Sequence, residues 1–300
     1  MGQDGFNWFI GVVEDRADPE KASRVRVRCL GYHTADKELI PTADLPWATV
    51  LMPVTAGANS GIGISPHFLI EGTWVVGFFR DPAKQEPVII GALPGKNTSE
   101  TTNFTIAGSG KIGGYTNIGG GEYSSASGGF IDPNAKYPTE LYIDKTDTNL
   151  LAQESAATHP SKEKKDALDS WSTASGEAEQ IASTQANAKY PTNHVLETES
   201  GHYVEFDDTA GNERIHLYHK MGTFIEIDKT GNVVIKTVGN VTNIVAGNMD
   251  TYVTKNYNLS VGGTMGVWSK GLVTELFDGG RKTTITKSGD TVKITGDVTL

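Results

Sequence analysis

The chain has 300 residues, of which 37% are hydrophobic and 21% charged, with 35 glycines and a formal net charge of −10. No third of it is basic, which argues against a nucleic-acid role resting on phosphate neutralisation, so no nucleic-acid partner is expected. A single cysteine, Cys29, excludes an intramolecular disulfide framework, and no run approaches the 18 apolar residues of a membrane-spanning helix.

Residues 1–96 read as a small β domain. "FNWFIGVVED", "SRVRVRCLGY", "WATVLMPV", "GTWVVGFFRD" and "EPVIIGAL" are five short strand candidates separated by Gly, Pro and Asp turns. That pattern suggests a five-stranded barrel of the OB type. Arg24, Arg26 and Arg28 alternate with Val25 and Val27, so the arginines are expected on a solvated strand face. Cys29 reads as a small buried strand residue.

Residues 97–194 are rich in Ser, Thr and Gly and read as an extended, low-complexity linker that cannot bury much. Two short helical candidates lie within it, "HPSKEKKDALDSW" and "GEAEQIASTQANA". The near-duplicates "NAKYPTE" and "NAKYPTN" bracket it. "GSGKIG" (Gly108, Gly110, Gly113) satisfies G-x-G-x-x-G, but no helix can follow in "GYTNIGGGEY", so it reads as linker. "GALPGKN" lacks both the first glycine and the Ser or Thr of a phosphate loop.

Residues 195–236 alternate again in "HYVEF", "RIHLYH", "TFIEID" and "NVVIKT", split by turn clusters. His202, His216 and His219 cluster here, but residues three apart on a strand face opposite ways, so a structural role is expected and no metal. Asp207 and Asp208 sit in a turn cluster, where Asp bonds backbone. No carboxylate pair is set apart for acid–base work, so neither catalysis nor a cofactor is expected.

From there to residue 300 the chain counts in eights. Gly231, Gly239, Gly247, Lys255, Gly263, Gly271, Gly279 and Lys287 mark the beat. Two positions before it stand Val245, Val253, Val261, Phe277 and Ile285, with Thr237 and Ser269 as polar exceptions. Two positions after stand Val233, Val241, Met249, Tyr257, Met265 and Val273. Even spacing puts these apolar residues on one face of a short strand, and glycine at the beat suits a tight bend. A lone ribbon of this kind buries too little to offset the entropy of ordering it, so identical chains around a shared axis are expected. The nine-residue, Asp-bearing pattern of calcium β-rolls is absent.

These residues carry a resemblance. "NWFIGVVEDRADPEKASRVRVRCLGYHT", "LPWATVLMPVTAGANSGIG" and "EGTWVVGFFRD" resemble the N-terminal OB domain of the central spike proteins of contractile-tailed phages. "KYPTNHVLETESGHYVEFDDTAGNERIHLYHKMGTFIEIDKTGNVV" resembles the lead-in to that family's C-terminal domain, shared with the VgrG spikes of type VI secretion, and "VAGNMDTY" and "VGGTMGVW" match its V-x-G-x-x-x-x-x repeat. The resemblance implies a mainly β protein with an OB collar (1–96), a linker (97–194), a strand region (195–236) and an intertwined, triple-stranded β-helix needle (237–300). Val241, Val245, Met249, Val253, Tyr257, Val261, Met265, Val273, Phe277 and Ile285 would then face the interior of a homotrimer. It further implies a virion tail-baseplate location, docking of the OB end on a hub protein, and mechanical piercing of the host outer membrane. The chain ends in strand-like alternation, for which a separate tip protein of the PAAR type is expected. The lysozyme domain of the T-even-type spike has no counterpart among these residues, so that activity is not carried over. A secretion or tailocin spike, an oligonucleotide-binding OB module and a cell-wall hydrolase are the competing readings.

Overall fold

The structure is a computed structural model. It describes residues 7–34, 36–94, 148–153 and 188–285, together with the backbone of short strands between 104 and 131 and between 170 and 180. The chain divides into two compact units, Met1–Ser170 with Gln180–Met249, and Trp171–Glu179 with Asp250–Leu300.

Five strands, β1 (Asn7–Asp15), β2 (Val25–Cys29), β3 (Trp47–Val50), β4 (Trp74–Phe79) and β5 (Pro87–Ala92), form a closed barrel in the order β1-β2-β3-β5-β4. All contacts are antiparallel except β3 with β5, which is parallel. These are the five strands expected from the sequence, and the closed five-stranded barrel is that of an OB fold. Phe9, Val13, Val25, Val27, Cys29, Ala48, Val75, Phe79 and Ile89 fill its core. β4 is flush against its neighbours at Gly77, where a Cβ would lie 2.1 Å from the Val88 carbonyl and 2.6 Å from the Phe9 ring. Only glycine fits there.

The arginines of β2 depart from the expected solvated face. Arg28 is buried and its guanidinium lies against the Glu14 carboxylate, which is fully buried. It also donates to the Thr34 and Ile40 carbonyls at 2.6 and 2.8 Å, and the Thr42 hydroxyl donates to Glu14 at 2.5 Å. The pair therefore pins the loop after β2 over the outside of the barrel. Arg26 lies over the Trp47 ring and Arg24 forks onto Asp18. Strand alternation identified the face correctly, but the loop that covers it comes from further along the chain.

Short ladders follow: β6 (Phe104–Thr105) with β7 (Lys111–Ile112), β8 (Tyr115–Thr116) with β9 (Glu122–Tyr123), β10 (Ser125–Ser127) with β11 (Phe130–Ile131), and β12 (Ser170–Ser172) with β13 (Ala178–Gln180). Gly108, Gly110 and Gly113 lie outside the described residues, as does most of both helical candidates. Of the two candidates, the described residues Ser170, Trp171 and Ala178–Gln180 lie in strands and Ala188 in neither strand nor helix.

A five-stranded antiparallel meander completes the first unit: β14 (Asn193–Glu197), β15 (Tyr203–Asp207), β16 (Arg214–Tyr218), β17 (Phe224–Ile227) and β18 (Val233–Lys236), paired in sequence order. Asp228 organises its last turn by accepting from the Thr230 and Asn232 side chains and backbones. From Thr237 to Ile285 the described chain carries neither strand nor helix.

Candidate functional site

The meander is a sheet with its polarity reversed. Register aligns Leu196, Val204, Leu217, Ile225 and Ile235 in one row across all five strands. A second row on the same face holds Phe206, Ile215, Ile227 and Val233. Apart from Val204, which is half-buried, these side chains are exposed, so the single chain presents a broad apolar sheet face to solvent. A contiguous patch of this kind on a folded domain marks a contact surface.

The opposite face is buried and largely polar. Its central row is Val195, Glu205, His216, Glu226 and Val234. Arg214 donates to Glu205 at 2.5 Å and to Glu226 at 3.4 Å. His216 Nδ1 lies 3.1 Å from the Tyr203 hydroxyl and 3.5 and 3.8 Å from the Glu205 and Glu226 carboxylates. Asn193 donates to Glu205 at 2.9 Å and to the Leu151 carbonyl at 3.1 Å. Leu151, Tyr203, Tyr218 and Phe224 form the apolar part of this layer. Burial, then the neighbouring Glu205 charge, raises the Tyr203 phenol above its ordinary value. The turn at residues 148–153 thus covers this face through Leu151, while Asn193 Oδ1, Asp207 Oδ2, Arg214 Nε and the Tyr218 hydroxyl are buried there without a hydrogen-bond partner among the described residues.

Glu205, His216 and Glu226 are fully buried beneath the sheet and locked into one another. His202 and His219 meet where β15 begins and β16 ends, their rings tilted at 46° with centroids 4.4 Å apart, His202 half-buried and His219 exposed. Among the described residues no group of three or more His, Cys, Asp or Glu is placed to hold a metal ion. Asp207 is buried at the end of β15 and accepts from Thr209 N, while Asp208 is exposed.

The octads lie beyond β18. Val241, Val245, Met249, Val253, Tyr257, Val261, Met265, Val273, Phe277 and Ile285 are all exposed. So is every residue from 238 to 285. Bends recur at 238–239, 246–247, 254–255, 262–263 and 270–271, and a turn at 278–279, each ending on a beat residue. Gly231 has φ +82°, whereas Gly239, Gly247, Gly263, Gly271 and Gly279 do not adopt positive φ. At those five a Cβ would meet no atom of the same chain within 4 Å. Lys255 takes the bend position without being glycine. Neither dihedral freedom nor intrachain crowding therefore explains the glycines. Lys287 lies outside the described residues.

The apolar rows were visible in the sequence as alternation; the buried Glu205–Arg214–His216–Glu226 layer was not anticipated. The available signal was an ionisable side chain on the inward alternate positions of each strand, Glu205 and Asp207, Arg214 and His216, and Glu226.

The meander is also tied to the barrel within the first unit. Arg16, just after β1, makes two 2.7 Å bonds to Glu199 in the β14–β15 turn, with Glu71 at 3.2 Å. The paired guanidinium lowers the Glu199 carboxyl below its ordinary value.

Comparison with known proteins bears on this geometry. The profile of the Gp5 N-terminal OB domain matches residues 31–115. Protein Gp5 of Vibrio phage KVP40 is 35% identical over 297 residues, spanning 88% of this chain and 65% of that protein. The pre-baseplate central spike protein Gp5 of Enterobacteria phage T4 is 36% identical over 158 residues, spanning 51% of this chain and 23% of that protein. The chain thus matches less than two thirds of the length of each relative.

Proposed function

From the premise that this chain is a homologue of the phage Gp5 proteins and carries their N-terminal OB domain, we propose that it is the protomer of a trimeric central spike in a contractile-tail baseplate. Its work is mechanical, and no reaction is ascribed to it. The OB barrel is the collar that docks on the baseplate hub. Residues 97–194 connect it to a strand region at 195–236, and the octads from 237 form an intertwined needle that is driven through the host outer membrane.

One observation carries the reading: the chain from 238 to 285 is held in a regular eight-residue repeat with every residue exposed. Ordering a residue costs about 1–2 kcal/mol of backbone entropy, and this stretch fully buries no residue within its own chain to offset it. Partners must supply the buried area and the ladder bonds. Three copies around an axis close every strand edge, which a dimer of such ribbons does not. The beat glycines support the same arrangement. Since their own chain requires no glycine, the requirement comes from a neighbour's backbone passing where a Cβ would stand. The exposed rows of the meander continue the apolar surface to be covered.

Light scattering on the purified chain tests this. A mass of about 96 kDa, three times the 32.1 kDa protomer, is expected; a 32 kDa species would remove the basis of the spike reading.

A further inference from the structure

If the octads wrap a three-fold axis, one of their columns remains uncovered. Resting on that reading, we propose that the shaft of the needle contacts lipid directly, through an outward column centred on Tyr252, Trp268 and Leu276.

The column stands three residues before each beat: Tyr252, Ser260, Trp268 and Leu276, with Ile244 continuing it upstream in sequence. It is one residue removed from Val253, Val261 and Phe277, the column assigned to the axis. In an extended chain adjacent side chains face opposite ways, so packing that buries the second column turns the first outward. The exposures agree. Val253, Val261 and Phe277 are about half exposed in the single chain (44, 48 and 53%), whereas Tyr252, Trp268 and Leu276 are 89, 85 and 85% exposed. In that packing the column of Tyr252, Trp268 and Leu276 faces away from the axis.

Charge identifies the occupant. Between residues 240 and 276 the chain holds only four charged residues, Asp250, Lys255, Lys270 and Glu275, which sum to zero in a protein of net charge −10 and 21% charged residues. Asn240, Asn248 and Asn256 hold the position after the beat, so the remaining outward surface is largely neutral. Charge returns at Asp278, Arg281 and Lys282. A shaft that stayed in water would gain solubility from charge. One that slides through hydrocarbon is penalised by every charge it carries, while Trp and Tyr favour the boundary between lipid and water. The low-charge band with its aromatic column therefore fits a bilayer, and its binding is apolar and not electrostatic.

Flotation of the full chain with vesicles of phosphatidylethanolamine and phosphatidylglycerol tests this, comparing the parent with the combined variant Tyr252→Ser, Trp268→Ser, Leu276→Ser, with native mass measured on both. The parent is expected to float as a trimer, and to do so equally at about 0.5 M salt, where charge attraction is screened. The variant is expected to remain a trimer and to lose at least tenfold in the vesicle-bound fraction. A parent trimer that does not float, binding that salt abolishes, or a trimeric variant that floats like the parent overturns lipid contact and leaves the spike reading intact. A monomeric parent overturns both. Should the combined variant alone lose the trimer, Trp268→Ser and Leu276→Ser made singly decide the matter by the same comparison: a trimeric single variant with a reduced vesicle-bound fraction supports lipid contact, and two that float like the parent overturn it.

Discussion

Replacing Leu217 by Asp tests whether the apolar face of the meander is an interchain surface. Leu217 is the middle member of the row Leu196–Val204–Leu217–Ile225–Ile235, and its side chain is 51% exposed. Full burial of a leucine contributes about 1.5–3 kcal/mol, so covering the exposed half contributes about 1 kcal/mol per chain. Three-fold symmetry repeats the loss, giving about 3 kcal/mol per trimer before the cost of placing three carboxylates together in a dry interface. That cost adds at least a further ~1–3 kcal/mol. With a factor of ten for each 1.4 kcal/mol, the assembly constant should fall by about a thousandfold or more. The opposite face, with Tyr203, Glu205, Arg214 and His216, is untouched, so the protomer should keep its far-ultraviolet spectrum. Sedimentation velocity across a broad concentration series reads the change, with Ala210→Asp in the exposed β15–β16 turn placing the same charge off the face. If Leu217→Asp sediments like the parent at every concentration, the apolar face is not where the chains meet.

The remaining expectations concern the protomer. Glu14→Gln removes the only carboxylate on the buried Arg28 guanidinium among the described contacts and should destabilise the barrel by about 3 kcal/mol, lowering its calorimetric midpoint by about 10–20 °C; an unchanged midpoint would show that the Thr34 and Ile40 carbonyls suffice. Asp18 is held well below the usual carboxylate range first by Arg24 and then by the Glu20, Arg24 and Ala22 amides, and Asp228 likewise by the Thr230 and Asn232 side chains. Because both folded-state values are depressed, their stabilisation is present above the unfolded value of about 4 and is lost as pH falls below it. Asp18→Asn and Asp228→Asn should therefore lower the midpoint near neutrality and flatten its fall in acid; an equal loss at every pH would contradict the linkage. Burial pushes the Cys29 thiol up to about 12, so it should resist iodoacetamide at neutral pH until the barrel unfolds, and rapid labelling of the native chain would refute its enclosure.

The sequence by itself determined the elements whose signals are local. Alternating apolar residues between Gly, Pro and Asp turns identified the five barrel strands within a few positions, because strand pitch and turn chemistry act over two to four residues. The beat from Gly231 to Gly279 announced a repeat, and the bends fall upon it. What only the tertiary structure decided is which side of a strand faces inward. Strand alternation shows that Glu205, His216 and Glu226 share a face opposed to Val204, Leu217 and Ile225, but not which face is covered. That depends on the turn at residues 148–153, whose Leu151 carbonyl meets Asn193 across 42 positions of chain. The same holds for Arg28, which sequence alone would leave in solvent and which the following loop seals against Glu14. Burial is set by the element that arrives from a distance, and neither its arrival nor the polar partners it brings are encoded in the strand it covers.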